Sequence, residues 1–561
     1  MLPQKEKLIN NSYIGFFYAL FNIICWGYVI YTLNRGVSVD EGYYLQGYVQ
    51  HTKQFGVLDF HNIIRTLFSF LDFNNTLQLR WFYFALSNAV FAFFTLALYR
   101  FLRNRKYDIK ESIFFPLIVF TWILSFCFAS PVLYYDTLQL LIYLVVFSLM
   151  FISDNLRKYR AIIYFMVGFL LVYSITNYLP SGILLFLTVF LWIIVNCKIE
   201  IRKVLLSVLI GVLISSFIYH FYIHSLSDFY QNVYSSFFYA QNGDTKHDTG
   251  GLLTKAMIFF VEILLLCTVI VGIYSFVNKL RKKNDNLSIF YILYFTVSVL
   301  LIGLSFVSRL KLGSLLIFIP IAILLADIKL TSLKELQGKE LFLIILCLLV
   351  PVFGVFGTNQ AIQQKTFYFL IFWFILFYLL YSKFFNKISK VNRIFLPLLF
   401  FIEVGILFLH NGYFKRIHNY YGFKSSNVYV ENTPRLNNIK ISSHQKMYIE
   451  NINRELKVSG FHSGDTILGF EVDFIPIYAV GGTVMPSDLF YAHYNMTQNV
   501  GNIPKEKVKY ILLYKRAEKE FTEFLKSSDW DFPNSYKRIS IGKMAENMTD
   551  GQSSFLYVSE K

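Results

Sequence analysis

Apolar residues run in long unbroken stretches through the first 411 positions, and short alternating runs replace them afterwards. A bilayer core of about 30 Å needs roughly 20 apolar residues per helix. Stretches of that kind predict thirteen spans, near 12–33, 81–102, 112–130, 136–153, 161–178, 180–196, 204–222, 254–277, 288–307, 312–327, 341–357, 366–381 and 394–411. Clusters such as Arg103-Asn104-Arg105-Lys106 and Lys279-Leu280-Arg281-Lys282-Lys283 interrupt them, because such charge does not enter hydrocarbon. Pro180 divides the pair 161–178 and 180–196.

Lysine and arginine are unevenly shared between alternate loops. With the N-terminus in the cytoplasm, the cytoplasmic segments hold 23 and the opposite loops 9, counting Lys255 at the edge of one, the bias expected of a polytopic protein in that orientation. An odd number of spans then places everything after residue 411 outside. Two external loops are long. Residues 34–80 alternate apolar and polar positions and are rich in Tyr and Phe, which predicts amphipathic helices lying in the interface. Residues 223–253, rich in Tyr, Ser, Asn and Gly, predict a mobile loop.

Residues 412–561 are a different material, with 19 Lys/Arg against 16 Asp/Glu. Ser442-Ser443-His444-Gln445 predicts a capping box opening a helix to about Val458. Strands are predicted at 466–470, 509–514, 536–541 and 555–558, with a helix over 518–527. Gly481-Gly482 is read as a turn, since no phosphate-loop pattern follows it. The fold class is thus an all-α polytopic membrane protein of about 13 transmembrane helices (1–411) with a small C-terminal extracytoplasmic α/β domain (412–561).

Composition agrees. The chain is 55% hydrophobic and 16% charged, with mean hydropathy +0.49, whereas soluble proteins carry about a quarter charged residues. The net charge of +17 would suggest nucleic acid in a soluble protein, but here the basic residues sit in loops between apolar runs. All five cysteines lie in or beside apolar segments, so neither a disulfide framework nor a metal-binding cysteine pair is expected. The run Tyr13 to Leu33 is too long for a signal-peptide core and reads as a retained signal-anchor.

Directly after that first span stand two adjacent acids, in Ser38-Val39-Asp40-Glu41-Gly42-Tyr43-Tyr44. One reading is a helix N-cap with an acidic first turn. The other is a base for a transfer reaction at the membrane surface; a cap needs only one acid, and a water-facing loop does not need the tyrosines. Arg309 and Lys311 lie on the external side, where the orientation rule does not favour cations, and fit either phosphate binding or headgroup snorkelling.

A first span followed by Asp-Glu and tyrosines in a long external loop resembles the lipid-linked-sugar glycosyltransferases of the GT-C superfamily. Within it the chain is most similar to the protein O-mannosyltransferase and lipid A aminoarabinose transferase type, over roughly residues 12–330. Other matching positions follow in order: Arg80 at the second span, Asp136 at the fourth, His247 before the eighth, and Ser308-Arg309-Leu310-Lys311 ahead of Pro320. The family's His-Pro-Pro appears only as His61-Asn62. The resemblance implies transfer of a sugar from a polyprenyl-phosphate donor to a hydroxyl of an acceptor protein, lipid or glycan on the non-cytoplasmic face of the membrane, and the composition suits a bacterial inner membrane. Asp40 would be general base, and Glu41 would orient the acceptor or assist a metal. Arg309, Lys311 and Arg80 would hold the lipid phosphate. Asp136 and His247 would be a second acid or ligands of a divalent metal, which no spacing requires. Tyr43, Tyr44 and His61 would line the donor or acceptor site. Two alternatives stand beside it: a polymerase or ligase using lipid-diphosphate glycans, and a polytopic transporter or flippase, for which Glu262 and Glu403 are the acids inside apolar runs.

Overall fold

The structure, a computed structural model, describes residues 2–560 apart from 38, 51–59, 129, 232, 235–248, 282–312, 329–333, 358–361, 409–425, 432, 471–473, 486–507, 528–529 and 545–547. The first part is helical: α1 (Leu2–Thr32), α2 (Val39–Val49), α3 (Phe60–Leu67), α4 (Thr76–Asn104), α5 (Glu111–Phe128), α6 (Tyr135–Asn155), α7 (Arg160–Asn177), α8 (Leu179–Asn196) and α9 (Ile201–Ile218). Further helices cover Thr249–Arg281, Phe318–Asp327, Gly338–Gly354, Leu370–Lys383 and Asn392–Leu407. Among the described residues seven helical stretches are long and apolar enough to cross a membrane, and shorter apolar helices lie at Tyr18–Thr32, Glu111–Cys127 and Ser314–Asp327. The predicted span 288–307 lies outside the described residues.

Lipid explains what is left uncovered. Leu206, Leu213 and Phe217 on α9, and Met257, Leu264 and Leu265 on Thr249–Arg281, are each more than half exposed. Such a continuous apolar exterior suits hydrocarbon and not water. The central helices are the opposite: 89% of the apolar window of Tyr135–Asn155 and 94% of Thr366–Lys383 are buried inside protein.

Membrane-style devices hold this bundle together. A Cβ on Gly168 of α7 would lie 2.2 Å from the Val208 carbonyl oxygen, and one on Gly211 of α9 the same distance from that of Phe165. The two backbones therefore touch, as small residues allow in lipid. Between α6, α7 and α8, Gln139 donates to Ser174 at 2.8 Å and Ser181 at 3.1 Å, and accepts from Asn177 at 2.9 Å. Pro180 stands at the start of α8, where its missing N–H costs nothing.

The tail holds a five-stranded sheet of order β4-β3-β5-β7-β6, from β3 (Thr466–Phe470), β4 (Thr483–Met485), β5 (Tyr510–Tyr514), β6 (Tyr536–Gly542) and β7 (Ser554–Ser559). β3 pairs in parallel with β4 and β5, while β7 runs antiparallel to β5 and β6. Helices Ser443–Val458 and Lys515–Ser527 accompany it, the former opened by the predicted box, with Ser442 Oγ accepting from the Gln445 amide. Helix Phe474–Ala479, strand β4 and a two-stranded ladder of β1 (Val428–Tyr429) and β2 (Lys440–Ile441) were not expected. Gly481, at φ +84°, makes the turn into β4.

One correction concerns the first loop. Its helix α2 does not lie open along an interface: Leu45 and Gln46 are fully buried, and Tyr44 and Tyr48 nearly so. The tail covers it. The Gln46 side chain donates to the Gly482 carbonyl at 3.1 Å and that of Gln50 to Val484 at 2.5 Å. A Cβ on Gly42 would meet Ile475 at 2.7 Å. The strand-like turn after α1 also bonds to β2, through Gly36 N to Lys440 O (2.8 Å) and Lys440 N to Asn34 O (2.7 Å). In the loop 223–253, predicted mobile, residues 235–248 lie outside the described residues.

Candidate functional site

The acidic pair opens α2. Asp40 is its second residue, and the Asp40 side chain lies outside the described part of the structure. Glu41 is fully buried against Arg80 of α4: Nε and Nη2 donate to its two oxygens, each at 2.7 Å. The remaining N–H groups of Arg80 reach the carbonyls of Leu33 (2.8 Å), Gly36 (2.7 Å) and Arg35 (3.4 Å). A guanidinium has five donors, and five acceptors occupy them. Arg80 therefore has no N–H left for a lipid phosphate, which corrects that assignment. Glu41 is likewise the anchor of a clamp, fixing the end of α1, the turn and the start of α2 to α4.

Asp136, at the second position of α6, is buried and accepts from Lys365 Nζ. The ammonium lies over the rings of Tyr368 (5.3 Å) and Tyr135 (5.6 Å). Burial opposes its charge, but the facing carboxylate of Asp136 prevails and holds Lys365 well above the usual lysine value. Tyr134 donates to the Tyr368 hydroxyl at 2.8 Å and stacks on Tyr44 with ring centroids 4.3 Å apart. Tyr44, one helical turn after Asp40, thus joins the acidic helix to the Asp136–Lys365 pair. Lys365 was missed. Its signal was a single cation just before an apolar span, on a side poor in cations.

His61 of α3 is buried, and its ring packs between Tyr43 (5.9 Å) and Tyr48 (5.5 Å). Gly47 allows this approach, because a Cβ there would sit 2.0 Å from Nε2. Burial first, then the Arg65 charge, holds the imidazole well below the usual histidine value. A depressed histidine leaves the folded protein unprotonated where the unfolded chain takes up a proton. Stability is then complete above about pH 6.5 and declines as pH falls from there toward the folded value. Thermal unfolding in detergent should therefore show a lower Tm at pH 5.5 than at pH 7.5, with much of the difference removed in His61→Leu. An unchanged slope in that variant would exclude His61 as its source.

A cavity lies nearby. Its volume is about 830 Å³, and it sits between α3, the turn Tyr219–Ile223 and the tail, lined by Tyr48, Asn62, Arg65, Asn74, Arg435 and Ser463 among others. Tyr43 and Tyr44 are not on its wall. His247, Arg309 and Lys311 lie outside the described residues. Among the described residues no three His, Cys, Asp or Glu side chains come together in a way that would hold a metal ion.

No protein-family model, characterised protein or solved structure matches this chain. Its function has to be argued from the residues and their arrangement.

Proposed function

We propose that the protein is a membrane glycosyltransferase that moves a sugar from a polyprenyl-phosphate donor to an acceptor hydroxyl on the non-cytoplasmic face. The observation that carries this reading is the joining of α2, which bears Asp40, to the buried Lys365–Asp136 pair through the Tyr44–Tyr134 stack. A base-bearing helix, a cation and a tyrosine-lined floor are what such a transfer needs at a membrane surface. Asp40 takes the proton of the attacking hydroxyl, and direct attack by that oxygen on the anomeric carbon inverts it. The bond from that carbon to the phosphate oxygen breaks, and the departing polyprenyl phosphate keeps the electron pair. Arg309 and Lys311 neutralise that charge, and Lys365 adds a further cation. Glu41 supports α2 through Arg80 and does not meet the substrate.

The test is transfer of labelled sugar from a polyprenyl-phosphate donor in proteoliposomes, comparing the wild-type protein with Asp40→Asn. Substrate-dependent transport without transfer would overturn the reading. It would favour a transporter, for which fully buried Glu403, with neither oxygen hydrogen-bonded among the described residues, would be the coupling acid.

The reading includes thirteen spans, a cytoplasmic N-terminus and a tail on the outer face. The described cysteines are buried or half-buried, whereas Val458 in the tail is 80% exposed. Val458→Cys should therefore react with a membrane-impermeant maleimide added to spheroplasts without lysis. Labelling only after lysis would reverse the orientation.

A further inference from the structure

The cavity beside α3 contains a cation that the clamp and the Asp136 pair do not explain. Arg435, in the tail, is 7% exposed. It is oriented by Asn74 Oδ1 at 2.9 Å from Nε, and by the carbonyls of Gly482 (3.0 Å) and Tyr478 (3.4 Å) from Nη1. Its Nη2 has no acceptor among the described residues, and the side chain is part of the cavity wall. Across that space Arg65 of α3 is held by the Gln50 carbonyl at 2.8 Å. Burial lowers both guanidinium groups from the usual arginine value. For Arg435, with Nη2 turned to the cavity, such a cost is offset when an anion enters.

The rest of the wall suits a carbohydrate. Asn62, Ser463 and Thr483 offer amide and hydroxyl groups, and Tyr48 and Phe73 offer aromatic rings. Asp72, the acid on the wall, is exposed, and its Oδ1 accepts from the Asn74 amide at 3.0 Å. The volume of about 830 Å³ falls within the ~300–1,000 Å³ typical of small-ligand sites. Tyr48 is eight residues beyond Asp40 on α2, so the wall begins about 12 Å along the helix from the proposed base. A ligand seated here and two or three sugar units long reaches that position.

We propose that this cavity is the acceptor subsite, and that the acceptor is a hydroxyl-rich glycan bearing an oxyanion, which Arg435 and Arg65 recognise. Its assignment as acceptor rests on the transferase reading; the binding of an oxyanion-bearing glycan does not. Carboxylate and phosphate offer the same oxygens to a guanidinium, so the probes separate them.

Binding to the full-length protein in nanodiscs is measured by calorimetry for trigalacturonate, a glycerol-phosphate trimer and neutral maltotriose. At least one charged probe should bind at least tenfold tighter than maltotriose and weaken as salt is raised; which of the two binds identifies the anion. Arg435→Gln should weaken it at least tenfold. Because Arg435 also ties the tail to Asn74, a second variant is used. Thr66→Trp, at an exposed position of the wall, should fill the space, keep the wild-type Tm and abolish binding. Equal affinity for maltotriose, or wild-type binding by Thr66→Trp, overturns the proposal. Either result leaves the transfer comparison between wild type and Asp40→Asn untouched, so the two readings fail separately.

Discussion

Asp40→Asn is expected to lower the initial rate of sugar transfer by about 10²- to 10⁴-fold, the range contributed by a positioned general base. Asparagine keeps the size of the side chain, but it cannot take a proton from a hydroxyl. The loss should therefore fall on the rate of transfer, with donor binding and Tm close to wild type. The alternative, in which Asp40 is only an acid in the first turn of α2, predicts the reverse, a stability loss of about 0.3–1 kcal/mol and a rate within a few-fold of wild type. Initial rates in proteoliposomes, set beside unfolding curves of the same preparations, distinguish the two. A rate within threefold of wild type would remove Asp40 from the chemistry.

The second large effect concerns stability. Arg80→Ala removes five hydrogen bonds and leaves the Glu41 carboxylate fully buried without its counter-charge. Breaking one partner of a buried pair costs about 3–5 kcal/mol, a large fraction of the stability of most domains. The variant should show a sharply lower Tm in detergent and poor recovery from membranes. Arg80→Lys should fall between, because a lysine supplies a point charge with three donors and cannot reach two carboxylate oxygens and three carbonyls together. The double change Glu41→Leu with Arg80→Met should recover part of the loss, since an apolar pair of similar volume removes the uncompensated charge. If Arg80→Ala melts like wild type while transfer disappears, Arg80 belongs to the reaction and not to the framework.

The contrast between these two adjacent acids shows what a sequence carries. The seven long apolar helices were legible because a twenty-residue apolar run has few other fates, and the Ser442 cap and strand β5 because their signals are local. Helix Phe474–Ala479 was not, since six apolar residues containing Pro476 show no period. At the site, the Asp-Glu pair was visible at once and Arg80 was noticed, but their pairing joins positions 39 residues apart. Lys365 and Asp136 are 229 apart. Arg435 meets Asn74 across 361. No local pattern says which cation faces which anion over such separations. Arg80 was therefore expected beside a phosphate when its partner was the glutamate of the acidic pair.

The bonds between Gly36 and Lys440, and between Gln50 and Val484, also impose an order on biosynthesis. The segment that follows α1 leaves the ribosome hundreds of residues before the strands that cover it. Until β2 and β4 have been made, Gln46, Gln50 and Thr76 lack the carbonyls of Gly482, Val484 and Arg435 that they bond in the finished protein. A nascent chain halted after its last span would hold its helices in the bilayer with the acidic helix still uncovered. Maturation of that helix is thus among the final events of synthesis.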